Sequence, residues 1–183
     1  MFGTLKKVAI GLAAVLIALA AIGFLLPAQW RVERSVTIEA PPDAVYAIVS
    51  SLRTWPEWTS WSKDLDPSAT WEFEGPEAGT GAMMKWKGPA AGAGVLTIAE
   101  SEPGRAIRYT MRMEEDAFMA RGALTLEPSG GGTRVTWVDE GDLGMNPMVR
   151  YFGLAMDSSM GRELQKGLDN LKRRAEAGRA GVP

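Results

Sequence analysis

Between residues 70 and 140 the sequence repeats one pattern, in which short runs of alternating apolar and polar residues are separated by Gly-Pro or Gly-rich turns. Such alternation is typical of strands with one buried face, and turns this short join antiparallel neighbours. An earlier alternating run contains Val32, Val36 and Ile38 and predicts a first strand. The six runs that follow are predicted to be strands over Thr70–Glu74, Gly81–Lys87, Gly94–Glu100, Ala106–Glu114, Phe118–Glu127 and Thr133–Glu140.

Two helices complete the predicted domain. A short helix begins at Pro41-Pro42-Asp43, and a long one begins at Asn146-Pro147 and runs to about Ala177. A seven-stranded antiparallel sheet with one apolar face needs a cover, which only the long helix can supply. We therefore predict an α+β fold in which a curved sheet wraps around the C-terminal helix. The helix presents one apolar stripe of Phe152, Met156, Met160, Leu164, Leu168 and Leu171.

The apolar run from Val8 to Leu26 contains no charged or polar side chain. As a helix it reaches roughly 28 Å, close to the thickness of a bilayer core. An uncleaved membrane anchor is favoured over a cleaved signal peptide, which Lys6 and Lys7 would begin, and over a buried soluble helix. The short basic tail favours a domain outside the cytoplasm. The predicted organisation is an anchor over residues 1–27, one domain over 28–178 and a disordered tail over 179–183.

Composition excludes several function classes. The chain has 20 Lys plus Arg against 22 Asp plus Glu, a balance that argues against nucleic-acid binding. It has no Cys and no His, which excludes disulfides, thiol nucleophiles, Ser-His-Asp triads and His- or Cys-ligated zinc. We expect no cofactor and no metal, although a weak divalent contact at Glu114-Glu115-Asp116 stays open without EF-hand spacing.

Two sequence strings carry a family resemblance. VERSVTIEAPPDAVYAIVSSLRTWPEWTSW, followed later by EPSGGGTRVTW and a long terminal helix, resembles the SRPBCC (START-like, helix-grip) superfamily. Within it, the polyketide cyclase/dehydrase and lipid-transport type of domain is most similar, over roughly Gln29 to Ala177. The resemblance implies a space between sheet and helix. It does not select a function, because the superfamily includes lipid carriers, hormone receptors, cyclases, oxygenase domains and chaperone activators.

Large apolar side chains are expected on the faces that meet in such a space. Each of these side chains taken alone is explained more simply as part of the hydrophobic core. However, 10 Met and 7 Trp are many for a small core. Methionine is flexible and suits a surface that fits several apolar shapes, so the set as a whole favours a ligand cavity. Trp55, Trp58 and Trp61 are interpreted as a core plug, a rim of the cavity or a membrane-interface contact. The candidate ligand-binding residues are Trp55, Trp58, Trp61, Trp71, Phe73, Tyr109, Met111, Met113, Phe118, Trp137, Phe152, Met156 and Met160.

Few polar residues are suited to chemistry. Asp139 has the same parity as Val135 and Trp137, which points its carboxylate inward unless the strand has already ended. The favoured interpretation is that the strand has ended and that Asp139 lies in a solvated acidic loop. Glu100 shares the parity of its apolar neighbours and has the same two interpretations. The arginines with the opposite parity, which are expected in solvent with partners such as Glu114 or Glu127, are Arg108, Arg112 and Arg121.

The favoured function is a membrane-anchored module that binds or carries a hydrophobic small molecule or lipid between sheet and helix. The alternative is a cyclase or dehydratase that uses Asp139 or Tyr109 as general acid/base. One carboxylate and one phenol are thin support for catalysis, which also needs a group that stabilises developing charge. A protein–protein module of the chaperone-activator kind is a third possibility and requires an exposed apolar patch.

Overall fold

The computed structural model describes residues 2–62, 65–113 and 119–180. Phe118 and the acidic run Glu114-Glu115-Asp116 lie outside these residues. The elements in chain order are α1 (Phe2–Leu25), β1 (Gln29–Ile38), α2 (Pro42–Val49), a 3₁₀ helix (Leu52–Glu57), β2 (Thr70–Glu74), β3 (Met83–Gly88), β4 (Gly92–Glu102), β5 (Ala106–Met113), β6 (Met119–Ser129), β7 (Gly132–Asp142) and α3 (Pro147–Ala180).

The seven strands form one antiparallel sheet in the order β1-β7-β6-β5-β4-β3-β2. Strands β2 to β7 pair with their sequence neighbours. Strand β1 pairs with β7, so β1 and β2 are the two edge strands of the sheet. The predicted seven-stranded sheet and long C-terminal helix are confirmed. Strand β7 continues to Asp142, which is beyond its predicted end, because its last residues pair with the start of β1. Asp139 therefore lies inside a strand.

The parity argument fails in β4. A β-bulge between Ile98 and Glu100 shifts the register, so Glu100 points to solvent and not inward. There it accepts a hydrogen bond from Arg108, 3.0 Å away, and Glu102 accepts a second one at 2.8 Å. The inward interpretation of Glu100 is wrong, and the acidic partners of Arg108 come from β4. Arg112 and Arg121 are exposed, as their parity predicted.

Helix α3 covers the sheet from about Met156 onward. Leu164, Leu168 and Leu171 are buried, and the helix packs so closely at Gly167 that a Cβ there would overlap the Trp137 ring. A helix of 34 residues spans roughly 51 Å, whereas strands of 11 residues span roughly 37 Å, so its first turns extend past the sheet. Phe152 lies in this overhang and is 69% exposed, which corrects the expectation that it faces the sheet.

The N-terminal helix α1 is long and apolar enough over Gly3–Leu25 to cross a membrane, and its most apolar window has a mean hydropathy of 2.8. Its end is docked on the start of α3. Arg150 donates hydrogen bonds to the carbonyls of Phe24 and Leu26 at 3.2 and 3.3 Å, and the Tyr151 hydroxyl donates to the carbonyl of Leu19 at 2.7 Å. A guanidinium at these free carbonyls also complements the negative end of the helix dipole.

The C-terminal end differs from the predicted tail. Helix α3 continues to Ala180, so residues 179 and 180 are helical, and residues 181–183 lie outside the described part of the chain.

Candidate ligand-binding site

A cavity of about 650 Å³ opens between α3 and the loop that follows the 3₁₀ helix. We call it the α3 pocket. Its apolar lining comes from Trp61, Leu65, Trp137, Met156, Met160 and Leu164, and its polar lining from Ser60, Ser62, Asp139, Ser159, Arg162, Glu163 and Lys166. A second hollow of about 440 Å³ is lined largely by polar and charged residues such as Arg31, Arg121 and Glu140. Of these two, the α3 pocket is the one suited to an apolar ligand.

Buried aromatic rings form the wall behind the α3 pocket. Trp55 and Trp58 are fully buried, with ring centroids 5.1 Å apart. Trp55 also meets the Tyr109 ring edge-on at 5.2 Å, and Trp58 lies 5.3 Å from Trp137. Complete burial agrees with the core interpretation of Trp55 and Trp58 and leaves them no surface for a membrane. Only Trp61 of the three reaches the pocket lining.

Asp139 lies at the inner end of the α3 pocket and is 2% exposed. Its Oδ1 accepts a hydrogen bond of 2.5 Å from the Tyr109 hydroxyl. The Tyr109 oxygen in turn accepts a hydrogen bond of 2.8 Å from the indole nitrogen of Trp137. The favoured interpretation of Asp139 as part of a solvated loop is therefore wrong, because β7 is held in the sheet by β1 on one side and β6 on the other.

A glycine makes this contact possible. Tyr109, Gly122 and Asp139 lie opposite one another on the neighbouring strands β5, β6 and β7. The Tyr109 and Asp139 side chains meet directly above Gly122, where a Cβ would overlap both the phenol ring and the carboxyl group. Glycine within a strand commonly marks such a close approach. The sequence contains this signal in the run ARGALTLE, which the sequence interpretation did not use.

Burial changes the acidity of both groups. Desolvation raises the pKa of Asp139 from 3.8 to about 7, and the hydrogen bonds from Tyr109 and Trp137 offset only part of that effect. Desolvation and the nearby Asp139 carboxyl raise the pKa of Tyr109 well above its ordinary value. Near neutral pH, Tyr109 is therefore a fixed hydrogen-bond donor, and Asp139 is the group able to exchange a proton.

A buried aspartate fixes the loop that carries the rim of the pocket. Asp66 accepts hydrogen bonds from the Ser68 hydroxyl at 2.7 Å and from the backbone nitrogens of Ala90 and Ala91 at 2.9 and 3.1 Å. The Ser68 hydroxyl and these amides lower the pKa of Asp66 to about 2, so it stays ionised. These hydrogen bonds hold Asp66 and Ser68 against the β3–β4 turn.

The structure brings together only part of the predicted site. Trp61, Trp137, Met156 and Met160 share the α3 pocket with Asp139, and Tyr109 lies directly behind that carboxyl. Trp71 and Phe73 line a separate hollow, where the Arg53 guanidinium lies 5.2 Å above the Phe73 ring. The other predicted residues line neither: Trp55, Trp58 and Met111 are core, Met113 is half-buried, and Phe152 is exposed.

Several pocket residues were missed by the sequence interpretation. Ser159, Glu163 and Leu164 lie three or four positions from Met156 or Met160, which is the spacing of one helix face. This helical spacing is the sequence signal that could have identified the three residues. Within residues 2–62, 65–113 and 119–180, no three Asp or Glu side chains converge as metal ligands. The acidic run at 114–116 falls outside these ranges.

The sequence of residues 29–176 matches the model of the family described as "Polyketide cyclase / dehydrase and lipid transport". The chain belongs to this family. The match covers the whole sheet and nearly all of α3, and it begins after α1. No curated protein matches the chain in sequence.

Solved structures of similar fold agree with this family. Protein CV1439 from Chromobacterium violaceum is 22% identical, with a TM-score of 0.52 over 82% of this chain and 99% of that one. The di-domain ARO/CYC StfQ from the steffimycin biosynthetic pathway is 17% identical, with a TM-score of 0.62 over 84% of this chain and 52% of StfQ. Ara h 8.0201 is 14% identical, with a TM-score of 0.53 over 81% of this chain and 99% of that one. These likenesses establish the helix-grip fold.

Proposed function

We propose that this protein binds a hydrophobic small molecule or lipid in the α3 pocket while α1 holds it at a membrane. The observation that carries the proposal is the lining of the pocket. A tryptophan on the rim, a second one on the floor and two flexible methionines surround about 650 Å³ of space, with one buried polar group at the inner end. Ligand sites commonly combine an apolar lining with a few placed polar groups. Family membership supports the same class of ligand.

A charge placed in the pocket tests this function. Met156→Glu puts a carboxylate against the apolar lining, and we expect it to weaken binding of the dye Nile red by about tenfold or more. The matched control is Leu154→Glu, because Leu154 lies in the same helix but is 68% exposed and outside the pocket. Fluorescence titration of the full chain in amphipol, with amphipol alone subtracted, measures both. Equal affinities for the two variants would place dye binding elsewhere.

The membrane part of the proposal rests on how α1 is packed. Only 6% of its most apolar window is buried, so its apolar surface needs lipid as a cover. Cleavage of α1 would remove the carbonyl partner of Tyr151 and would leave Arg150 only its hydrogen bond to the carbonyl of Gly144, which favours an anchor over a removed signal peptide. Beside the end of α1, the loop before α3 exposes Met145, and the first turns of α3 expose further apolar side chains at Met148, Phe152 and Leu154. This belt supports a location of the domain at the membrane surface.

Cell fractionation tests the anchor. We expect the full chain to stay in the membrane pellet after an alkaline carbonate wash, with an intact mass that includes α1. Protease added outside intact cells is expected to digest the domain, as the proposed extracytoplasmic orientation requires. Release by carbonate, or a mature form that begins near Ala28, would contradict the anchor.

A cyclase or dehydratase activity is the second candidate, and Asp139 favours it. A buried carboxyl with a pKa of about 7, on the lining of an apolar pocket, is suited to proton transfer near neutral pH. The Tyr109 hydroxyl fixes its orientation. If a substrate is turned over, Asp139→Asn is expected to abolish turnover while Nile red binding persists. A pure carrier would show no turnover with either protein.

A further inference from the structure

The hydrogen bonds around Asp139 leave part of its carboxyl available to a ligand. Protons are donated in one direction, from the Trp137 nitrogen to the Tyr109 oxygen and from the Tyr109 hydroxyl to Oδ1 of Asp139. A carboxyl group offers about four acceptor positions, and the two donors that reach Asp139, the Tyr109 hydroxyl at 2.5 Å and the Trp137 indole, fill at most two of them. Because the carboxyl also lines the α3 pocket, its remaining capacity faces the space that a ligand would enter.

No cation compensates the charge of Asp139 in the described part of the chain. None of the ion pairs there involves Asp139. The titratable or charged groups around it are Tyr109 on β5, Arg34 on the inner face of β1 and, at the exposed rim on α3, Arg162, Glu163 and Lys166. The Arg34 guanidinium is paired with Asp157 of α3 at 2.9 Å. Its register neighbours on β1 and β6 are Val32 and Gly122, which carry no charge.

The surroundings of Asp139 determine which polar group of a ligand can bind beside it. A ligand carboxylate at the inner end would place two acidic groups together without a cation, and both cannot ionise there. A purely apolar ligand would cover the carboxyl and leave its remaining acceptor positions unfilled. A hydroxyl is compatible with either state of Asp139, because it donates to the carboxylate and accepts from the protonated acid.

We propose that Asp139 makes the α3 pocket selective for amphiphiles whose leading group is a hydroxyl over those that lead with a carboxylate. The proposal rests on the binding function proposed above and narrows the class of its ligand. Asp139 is then the specificity-determining residue, Tyr109 is the positioning residue that orients it, and Gly122 provides the room in which the two meet.

The test compares 1-decanol with decanoate, which share an apolar chain and differ in the leading group. The full chain is labelled with ¹³C-methyl methionine and kept in amphipol. The NMR resonances of Met156 and Met160 then report how much of the pocket is occupied. Dialysis fixes the free concentration of each probe. Decanol is the more apolar probe in any pocket, so the decisive quantity is the change in the ratio of the two affinities. In Asp139→Asn we expect the ratio of decanol affinity to decanoate affinity to fall by about tenfold, because decanoate binding improves.

The wild-type protein provides a second measurement that needs no variant. Between about pH 8 and about pH 6 Asp139 takes up a proton, so decanoate affinity is expected to rise by about tenfold while decanol affinity stays constant. Glu140→Gln is the matched control, since it removes a carboxylate from the next residue of β7, which lies on the exposed face of the sheet and outside the α3 pocket. It is expected to keep both the ratio and its pH dependence.

The outcomes separate the two proposals. The selectivity proposal is overturned if the ratio of decanol affinity to decanoate affinity is unchanged in Asp139→Asn, or if decanoate affinity in the wild type does not depend on pH. The binding function is retained in either case if Nile red still binds. If Nile red and both probes fail to bind, the binding function itself is wrong.

Discussion

The wild-type protein is expected to lose stability relative to Asp139→Asn by up to ~4 kcal/mol as the pH rises from about 4 to about 8. The cause is the difference between the ordinary pKa of 3.8 and the pKa of about 7 that burial gives Asp139 in the fold. A carboxyl whose pKa is raised by folding contributes stability that is fully present below the unfolded pKa. That stability is lost as the pH rises through the folded pKa, because the folded protein must then bury a charge.

Denaturant unfolding at a series of pH values measures this difference, since most other carboxyls titrate alike in both proteins and cancel. The matched control is Asp157→Asn. Arg34 donates a hydrogen bond to Asp157 at 2.9 Å and lowers the pKa of that carboxyl, so its contribution is present at high pH and lost as the pH falls. The two variants should therefore diverge from the wild type with opposite pH trends. A pH-independent difference for Asp139→Asn would show that Asp139 is ionised at no extra cost in the fold.

Trp55→Ala is expected to lower the free energy of unfolding by about 4 kcal/mol. Trp55 is fully buried and contacts the rings of Trp58, Tyr109 and Trp137, so its removal opens a cavity in the wall behind the α3 pocket. It also removes the donor of a 2.9 Å hydrogen bond to the carbonyl of Val49, which is left buried without that partner.

Trp61→Ala provides the control for this substitution. Trp61 is half-buried on the rim of the α3 pocket, so its loss is expected to cost about 1 kcal/mol of stability while weakening Nile red binding. Guanidinium unfolding of the full chain in amphipol, followed by circular dichroism, measures both variants. A cost for Trp55→Ala no larger than that for Trp61→Ala would contradict the buried role assigned to Trp55.

The sequence predicted the elements that depend on local pattern. The bounds of β2 agree with the prediction at both ends, and α3 begins at Pro147, as the Asn-Pro signal indicates. Predictions failed where a long-range constraint decides. The bulge that turns Glu100 outward, the pairing with β1 that extends β7 past Asp139, and the overhang of α3 at Phe152 all depend on how separate segments meet.

The same distinction applies to the site. Strand parity indicates that Tyr109 and Trp137 face inward, but parity does not reveal strand register. The contact between Tyr109 and Asp139 exists because Gly122 lies between them in the sheet, which only the pairing of β5, β6 and β7 establishes. For the same reason, periodicity placed Trp71 and Phe73 with the ligand-binding residues, whereas they line a separate hollow.

Native mass spectrometry of the full chain, released from amphipol in the gas phase and combined with lipid extraction, tests the central claim most directly. The wild type and Leu154→Glu are expected to carry an apolar molecule at about one per chain, and Met156→Glu is expected to have lost it. An empty wild-type chain that also fails to bind Nile red, or one molecule retained equally by all three proteins, would contradict the α3 pocket as a ligand-binding site.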